Sequence, residues 1–370
     1  MNVVVVMGTR PEIIKLAPVI FELQGKCDLT ICTTGQHKEM LDQALDCFSL
    51  EPDVRLECMR PGASLNVLAA DLLTSLDQVI QERAPDWVIV QGDTTTAFSA
   101  GLAAFHREAR IAHVEAGLRT GNLSSPFPEE ANRTLLAHIA TRHFAPTRQA
   151  CTNLEREGVP RQDIVVTGNT VVDALAAIAS RWQQKAPSVA EDLDANRPIV
   201  FVTCHRRESF GETLRGICKA IRELCCMYPG YQWIFPVHLN PAVREVVLKE
   251  LSGIDNLFTM PPIDYESSLY LISKSRLVLS DSGGIQEEAP SFGVPVVVMR
   301  EHTERLEGIE AGMATLAGTE PENIVAAVRK WLNGYSGTSF RARKNPYGDG
   351  RAAQRIVSTL IEGRASEFDG

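Results

Sequence analysis

The chain has 370 residues, of which 44% are hydrophobic and 22% are charged, and its formal net charge is −9. This length exceeds what one hydrophobic core usually supports, so two domains are expected. The acidic balance argues against a nucleic-acid binder, because such proteins need a basic surface. No apolar run approaches the roughly 18 residues needed to span a bilayer, so we expect a cytoplasmic protein with no membrane contact.

The first strand and helix place two cations at a strand end. A run of four valines, Val3–Val6, predicts a strand that leads through Gly8 into a helix. Pro11 suits the first turn of this helix, where its missing N–H has no partner to lose. Arg10 and Lys15 therefore lie near a helix N-terminus at the carboxyl end of a strand, where open α/β sheets bind ligands. The pair predicts an anionic ligand, unless both side chains merely line a solvated rim.

Three acidic residues follow later strands or loops of the first half. Strands predicted at 85–90 and 111–114 lead to Asp93 and Glu115, and the next loop opens a helix near Glu129. A lone acid in such a place is commonly a helix cap or a surface residue. One sheet edge would bring all three acids together, so we interpret them as functional carboxylates.

A second alternation of strands and helices begins near residue 198. It follows a polar, alanine-rich stretch at 180–196 that suits a long helix and a loop. His205 comes directly after the first strand of this half, beside two arginines, and is a candidate acid, base or phosphate donor. His238 ends the next strand and is equally explained as a helix-entry residue. Both halves are therefore predicted to be doubly wound α/β units.

The most informative stretch joins two apolar runs of the second half and reads Asp-Ser-Gly-Gly-Ile-Gln-Glu-Glu, residues 281–288. It predicts a strand, a tight turn and a helix that begins near Gly283. Two adjacent glycines allow a ligand to approach the backbone, and the first helical N–H groups with the Ser282 hydroxyl can bind a phosphate. One of the two carboxylates, Glu287 or Glu288, would bind ribose hydroxyls. The alternative is that the two glutamates are only first-turn residues favoured by the helix dipole.

Seven motifs in combination resemble the non-hydrolysing UDP-N-acetylglucosamine 2-epimerases. They are Gly-Thr-Arg-Pro-Glu at 8–12, Gly-Asp-Thr-Thr-Thr at 92–96, His-Val-Glu-Ala-Gly-Leu-Arg at 113–119, Pro-Glu-Glu-Ala-Asn-Arg at 128–133, His-Arg-Arg-Glu-Ser-Phe at 205–210, the stretch 281–288, and Thr-Glu-Arg at 303–305. The resemblance implies a homodimer with the glycosyltransferase-B architecture, in which two doubly wound Rossmann-like domains face a cleft. The first domain would comprise residues 1–168, joined by the C-terminal helix 351–370, and the UDP-binding domain residues 169–350.

The resemblance also implies a reaction, the reversible epimerisation of UDP-N-acetylglucosamine to UDP-N-acetylmannosamine at C2, which feeds bacterial surface polysaccharide synthesis. UDP leaves as the C2 proton is removed, 2-acetamidoglucal forms, and UDP re-adds while a proton reaches the other face. No metal or other cofactor is required. By motif matching, the catalytic positions are Asp93, Glu115, Glu129 and His205. The substrate-binding positions are Arg10, Lys15, Arg206, Ser282, Gly283, Gly284, Glu288 and Arg305. Which acid is the base stays open.

The chain departs from the family at two places. Ile263 and Ser268 stand where a glutamine and an aromatic residue would contact uracil, so either the base is held differently or the preferred sugar nucleotide differs. Many bacterial members also have an allosteric substrate site, which corresponds here to Gln36, His37, Arg206 and His238. Ala63 replaces a glutamine near that site, which argues against activation by substrate.

Two alternative functions remain open from the sequence. A hydrolysing epimerase would let water attack where UDP re-adds, and would release UDP and free N-acetylmannosamine. A nucleotide-sugar binding protein or sensor would keep the phosphate-binding turn without catalysis. The presence of all three carboxylates argues against the sensor.

Overall fold

The computed structural model describes the whole chain apart from a few short stretches and single residues. These are Gln36, His37, Pro61, Ala195, His205, Arg207–Ser209, Tyr335–Ser339, Arg341 and Ala342, together with the side chains of Lys38–Met40 and Asp192. The chain forms two compact units, one of Met1–Ala177 with Tyr347–Gly370 and one of Ile178–Pro346. Among the described helices, none is both long enough and apolar enough to cross a membrane.

The first unit is built on a seven-stranded parallel sheet with the order β3-β2-β1-β4-β5-β6-β7. Its strands are β1 Asn2–Met7, β2 Asp28–Thr33, β3 Val54–Arg55, β4 Trp87–Gln91, β5 Arg110–Val114, β6 Arg142–Ala145 and β7 Ile164–Val166. The strand order reverses between β1 and β4. Loops that leave these two strands therefore diverge to opposite sides and open a crevice at the carboxyl edge.

The helices of the first unit connect these strands and cover the sheet. They are α1 Arg10–Leu23, α2 Lys38–Phe48, α3 Leu65–Arg83, α4 Thr95–His106, α5 Glu129–Ile139, α6 Arg148–Arg156 and α7 Thr170–Arg181, the last of which continues into the second unit. Hydroxyl side chains cap three of them: Ser64, Thr94 and Thr147 accept backbone N–H groups at the starts of α3, α4 and α6. Such caps satisfy donors that a helix start leaves unpaired.

The second unit contains a six-stranded parallel sheet with the order β10-β9-β8-β11-β12-β13. Its strands are β8 Ile199–Thr203, β9 Gln232–Pro236, β10 Leu257–Met260, β11 Ser275–Ser280, β12 Val296–Val298 and β13 Ala314–Leu316. Its helices are α8 Glu212–Met227, α9 Pro241–Glu250, α10 Tyr265–Lys274, α11 Gly283–Glu288, α12 Leu306–Glu310 and α13 Pro321–Gly334. The strand order reverses between β8 and β11, which again opens a crevice at their carboxyl ends.

The last helix, α14 (Ala352–Glu362), belongs to the first unit and packs against α1. The carboxylate of Asp173 on α7 accepts the N–H groups of Ala352 and Ala353 at 3.2 and 2.9 Å. These are donors that the start of α14 would otherwise leave unpaired. Burial raises the pKa of Asp173 to about 6, against the opposing effect of these hydrogen bonds.

The structure corrects two expectations from the sequence and adds two strands that the sequence did not indicate. The added strands are β3, which has two residues, and β13, whose three residues include the polar Thr315. The stretch 180–196 holds no long helix: α7 ends at Arg181, and a short 3-10 helix follows at Ser188–Asp192. Glu287 and Glu288 end the six-residue helix α11. The helix dipole does not favour acids there, so the explanation as first-turn residues is wrong.

Candidate active site

Glu115 lies directly after β5 and is held in an unusual backbone conformation. Its φ is 62°, in the left-handed region that non-glycine residues seldom adopt. Its carboxylate accepts hydrogen bonds from Lys15 Nζ, from Gln91 Nε2 and, at 3.4 Å, from Asn169 Nδ2. The donors come from α1, from β4 and from the segment before α7. Contacts from three separate elements therefore determine where this carboxylate lies.

The pair of Lys15 and Glu115 is buried, with each residue 9% exposed. Two opposite charges removed from water are tolerated when they pair directly and find further hydrogen bonds. Gln91 and Asn169 provide those further bonds to Glu115. The sequence predicted Lys15 as a contact to the ligand, and the structure places its ammonium against the carboxylate of Glu115.

Asp93 follows β4 and contacts α5. Its carboxylate pairs with Arg133 Nη2 at 2.6 Å, and its backbone carbonyl accepts from Asn132 Nδ2 at 2.9 Å. The preceding Gly92 has a φ of 70°, and a Cβ there would stand 3.9 Å from Glu115 Oε2. The loop that carries Asp93 thus adjoins Glu115, as expected for loops that leave the neighbouring strands β4 and β5.

Two adjacent glutamates at the start of α5 have different surroundings. Glu129 is the first residue of the helix and is half-buried. Glu130 is 1% exposed and accepts the backbone N–H groups of Thr120 and Gly121 at 3.0 and 2.9 Å. The carboxylate predicted to be catalytic is therefore the more accessible of the two, while its neighbour holds the preceding loop.

Arg10 begins α1 and is exposed at the carboxyl end of β1. The turn before it is fixed by Glu12, whose buried carboxylate accepts from Gly8 N, Thr9 Oγ1 and Thr94 Oγ1 at 2.9, 2.7 and 2.7 Å. Burial raises the pKa of Glu12, although these hydrogen bonds oppose the rise. The sequence did not single out Glu12, which links the turn after β1 to the loop after β4.

In the second unit, Ser282 precedes α11 and Gly283 begins it. The guanidinium of Arg305 lies so close to Gly283 that a Cβ there would stand 2.8 Å from Arg305 Nη1. Arg305 Nε donates to Glu287 Oε1 at 2.7 Å, and its Nη1 pairs with Glu304. Burial opposes ionisation of Glu304, yet Arg305 and the nearby arginines lower its pKa to about 2. The absence of a side chain at Gly283 is thus what admits this cation beside the turn.

Glu288 and Arg206 lie in the same unit as this turn. Glu288 is 8% exposed, and its Oε1 accepts from the hydroxyl of Tyr265 at 2.9 Å. The backbone N–H of Arg206 donates to Asp281 Oδ2 at 2.9 Å, which ties the segment after β8 to the segment after β11. Both segments leave the two strands between which the order reverses. Ser282, Gly283, Gly284, Glu288, Arg206 and Arg305 are therefore brought to one sheet edge.

Known proteins resemble the chain over nearly its whole length. A family model described as UDP-N-acetylglucosamine 2-epimerase matches residues 21–361. The UDP-N-acetylglucosamine 2-epimerase of Yersinia pestis is 47% identical over 370 residues, which cover 97% of this chain and 98% of that protein. The enzyme of that name from Escherichia coli K12 is 45% identical over 378 residues, which cover 99% and 100%. The chain belongs to the UDP-N-acetylglucosamine 2-epimerase family.

Solved structures of this family share the fold. The crystal structure of UDP-GlcNAc 2-epimerase from Neisseria meningitidis bound to UDP-GlcNAc has a TM-score of 0.90 at 43% identity, and the match covers 98% of this chain and 100% of that one. The glycotransferase of kitacinnamycin has a TM-score of 0.68 at 14% identity, which is a likeness of fold alone. The resemblance to the epimerase family and the two Rossmann-like units are thereby confirmed.

His113, the first residue of the family motif at 113–119, supports the site, a role that the sequence did not reveal. His113 is fully buried, and its Nε2 lies 2.7 Å from the carbonyl oxygen of Gly92, so Nε2 carries the proton and donates. Burial, with the neighbouring His143, lowers the pKa of His113 to about 3. A neutral imidazole thus holds the turn that precedes Asp93. The signal in the sequence was a histidine inside an otherwise apolar strand.

Three residues that the family comparison pointed to, His205, Gln36 and His37, lie outside the described residues. His238 is exposed after β9, and its Nδ1 accepts the N–H of Asn240 at 3.1 Å. This contact fits the helix-entry interpretation, because Asn240 caps α9. Ala63 is exposed before α3.

The two positions that depart from the family at the expected uracil contact flank the start of α10. Ile263 is half-buried and precedes this helix, and Ser268 lies within it. Tyr265, which donates to Glu288, is the first residue of the same helix. Both departures therefore lie within a few residues of Tyr265, which contacts the predicted substrate-binding residue Glu288.

Proposed function

We propose that this protein is a non-hydrolysing UDP-N-acetylglucosamine 2-epimerase, which interconverts UDP-N-acetylglucosamine and UDP-N-acetylmannosamine for bacterial surface polysaccharide synthesis. Family membership supports the epimerase activity. Support for the ligand comes from the Neisseria structure bound to UDP-GlcNAc and from a Methanocaldococcus jannaschii structure in complex with UDP-GlcNAc and UDP, at 33% identity and a TM-score of 0.83. The first unit would act on the sugar and the second would bind UDP.

The observation that carries this proposal is the set of carboxylates at the carboxyl edge of the first sheet. Glu115 is held by Lys15, Asp93 follows the adjacent strand, and Glu129 begins the helix that contacts Asp93. Inversion at C2 needs one group to remove a proton and another to deliver a proton to the opposite face. Carboxylates on separate elements, each with its own surroundings, can divide these two tasks.

The second unit would bind the leaving group. In the elimination step the C2–H electrons form the C1–C2 double bond, the C1–O bond breaks, and UDP departs with the electron pair. Ser282 and the backbone at Gly283 can donate to the developing phosphate charge, and the Arg305 guanidinium adds positive charge beside them. In the return step a phosphate oxygen of UDP attacks C1 while C2 takes up a proton on the other face.

The decisive test is a proton NMR time course of the purified protein with UDP-N-acetylglucosamine in D₂O. We expect UDP-N-acetylmannosamine to appear with deuterium at C2 and without accumulation of UDP. Accumulation of UDP with free N-acetylmannosamine would instead identify a hydrolysing epimerase. Binding of the nucleotide sugar without any conversion would favour a sensor, and a parallel run with other UDP sugars would then separate a sensor from an epimerase of different preference.

We also propose a cytoplasmic homodimer, from the expectations that the family resemblance and the sequence raised. Sedimentation velocity at several protein concentrations measures the oligomeric state directly. A species of 40.6 kDa throughout would be a monomer and would contradict the dimer.

A further inference from the structure

The first turns of α5 contact two loops that carry predicted catalytic machinery. Asn132 Nδ2 donates to the carbonyl of Asp93 at 2.9 Å, and Arg133 Nη2 pairs with the carboxylate of Asp93 at 2.6 Å. Glu130 accepts the N–H groups of Thr120 and Gly121 from the loop after β5. One helix end, which begins with Glu129, is thus bonded to both loops.

Arg133 is the central member of this arrangement. Its side chain is 7% exposed and lies between two carboxylates, with Nη1 3.5 Å from Glu130 Oε2 and Nη2 2.6 Å from Asp93 Oδ2. Glu130 is also almost fully buried, while the side chain of Asp93 keeps 25% of its exposure. The Nη1 atom of the guanidinium is therefore buried against Glu130, and its Nη2 atom contacts the partly exposed Asp93 from the interior of the first unit.

Both contacts of Arg133 are ion pairs, and its Nε and Nη1 are buried without a hydrogen-bond partner among the described residues. A buried guanidinium holds a paired carboxylate strongly, because separating the two would leave an uncompensated charge in the interior. Its own position is constrained by the ion pair with Glu130, whose hydrogen bonds go to the backbone N–H groups of Thr120 and Gly121. Misplacement of a reacting group by about 1 Å can lower a rate about 100-fold. A buried Arg133 is thus well suited to set the position of Asp93.

We propose that Arg133 is a positioning residue for the reaction, which together with Glu130 orients Asp93 relative to Glu129 at the start of the same helix. The inference rests on the proposed epimerase function, and it adds two residues that do not touch substrate. It assigns distinct tasks to the two neighbouring glutamates: Glu129 faces the reaction, and Glu130 supports Arg133 and the loop at Thr120.

The test is a double-mutant cycle of Arg133→Met and Asp93→Asn, with kcat and KM measured for UDP-N-acetylglucosamine. Arg133→Met alone should lower kcat about 30-fold and change KM less than about threefold, because positioning affects turnover and not ground-state binding. In the Asp93→Asn background the same change should lower kcat by less than about threefold, since the group that Arg133 orients is already inactive.

Further variants separate positioning from stability. Arg133→Lys keeps the charge and should retain more kcat than Arg133→Met, and it carries the test if the methionine variant does not fold. Glu130→Gln should lower kcat about tenfold, because its amide would direct a donor at Arg133 or at the backbone N–H groups. The control is Arg107→Met, which removes an Arg107–Asp77 pair at the opposite end of α4 from Asp93.

The outcomes are distinct. A kcat of Arg133→Met equal to that of the wild type, or an equal loss in both backgrounds of the cycle, would overturn the inference while leaving the epimerase function in place. Equal losses in Arg133→Met and Arg107→Met would show an effect of stability alone and would also overturn it. No conversion by the wild-type protein would overturn the proposed function, and the positioning role would fall with it.

Discussion

The carboxyl edges of the two sheets have the same topology and different chemistry. In the first unit the edge holds carboxylates paired with cations, Glu115 with Lys15 and Asp93 with Arg133. In the second unit the edge holds a serine and two glycines at a helix start, with Arg305 packed against Gly283. The fold determines where a ligand can bind, and the side chains at that place determine what the site does.

The difference follows from what each edge leaves accessible. At the first edge the hydrogen-bonding capacity belongs to side chains, whose positions depend on partners from other elements. At the second edge it belongs to the backbone, and Gly283 keeps the backbone open because a Cβ would collide with Arg305. We therefore expect substitutions at the first edge to affect turnover and substitutions at the second to affect UDP binding.

The largest effect is expected for Glu115→Gln. Turnover should fall at least about 100-fold, because the amide cannot exchange a proton as a carboxylate does, while UDP affinity changes little. Turnover is measured by NMR and UDP binding by calorimetry, with thermal unfolding as a check because Lys15 loses its buried counter-ion. Asp163→Asn is the matched control, since it removes a carboxylate that pairs with Arg142 just before β7, at the opposite sheet edge. Wild-type turnover in Glu115→Gln would remove this residue from the mechanism.

A smaller effect, on binding, is expected for Gly283→Ala. The added Cβ would stand 2.8 Å from Arg305 Nη1 and 2.9 Å from its Cζ, so the guanidinium must move. UDP affinity should fall about 30-fold by calorimetry, roughly the loss of one hydrogen bond to a charged group. In Gly230→Ala the new Cβ meets no atom within 4 Å, so its affinity should match the wild type. Equal UDP affinity in both variants would refute the role assigned to this turn.

The next effect is on stability: the buried His113 at the first edge makes the free energy of unfolding depend on pH. The pKa of His113 is about 3 in the folded protein, below its ordinary value of 6.5, so the unfolded chain binds more protons between these values. Stability therefore decreases as pH falls through this window, by about 1.4 kcal/mol per pH unit for this one group. His113→Gln keeps a donor for Gly92 and removes the titration.

Urea unfolding at pH 7 and pH 5 measures this contribution. The difference in free energy of unfolding between wild type and His113→Gln should narrow by about 2 kcal/mol at the lower pH. Comparison with the variant, not the wild type alone, is needed because Asp173, with its pKa raised to about 6, acts in the opposite direction over part of the range. The exposed His106→Gln serves as the control. A difference that does not change with pH would contradict a neutral His113.

The smallest effect is expected for Ser282→Ala. Loss of one hydroxyl donor should weaken UDP binding about fivefold, because a single hydrogen bond contributes about 1 kcal/mol net and the backbone donors remain. Turnover should fall by no more than a similar factor, since the hydroxyl is one of several donors to the charge that develops on the leaving phosphate. Ser273→Ala, which removes a hydroxyl that donates to the carbonyl of Tyr270 within α10, is the control for calorimetry. A large loss of turnover with unchanged UDP affinity would contradict the expectation that the second edge acts through UDP binding.

Much of the fold could be predicted because its signals are local. Val3–Val6 predicted β1, and the strand predicted at 111–114 lies within β5. The edge strands β3 and β13 could not be predicted, because β3 has only two residues and β13 lacks the continuous apolar run that marks β12. Glu287 and Glu288 were placed at the wrong end of their helix, because the sequence does not show that α11 stops after six residues.

The sequence by itself determined the order of strands and helices, the family, and which residue types follow the strands of each sheet. Only the tertiary structure decided the partners of these residues: Glu115 contacts Gln91 and Asn169, which lie 24 and 54 positions away along the chain. Likewise, only the structure distinguished Glu129 from the buried Glu130. The physical reason is that a hydrogen bond depends on distances of about 3 Å between atoms, which packing of distant elements fixes and local sequence patterns do not.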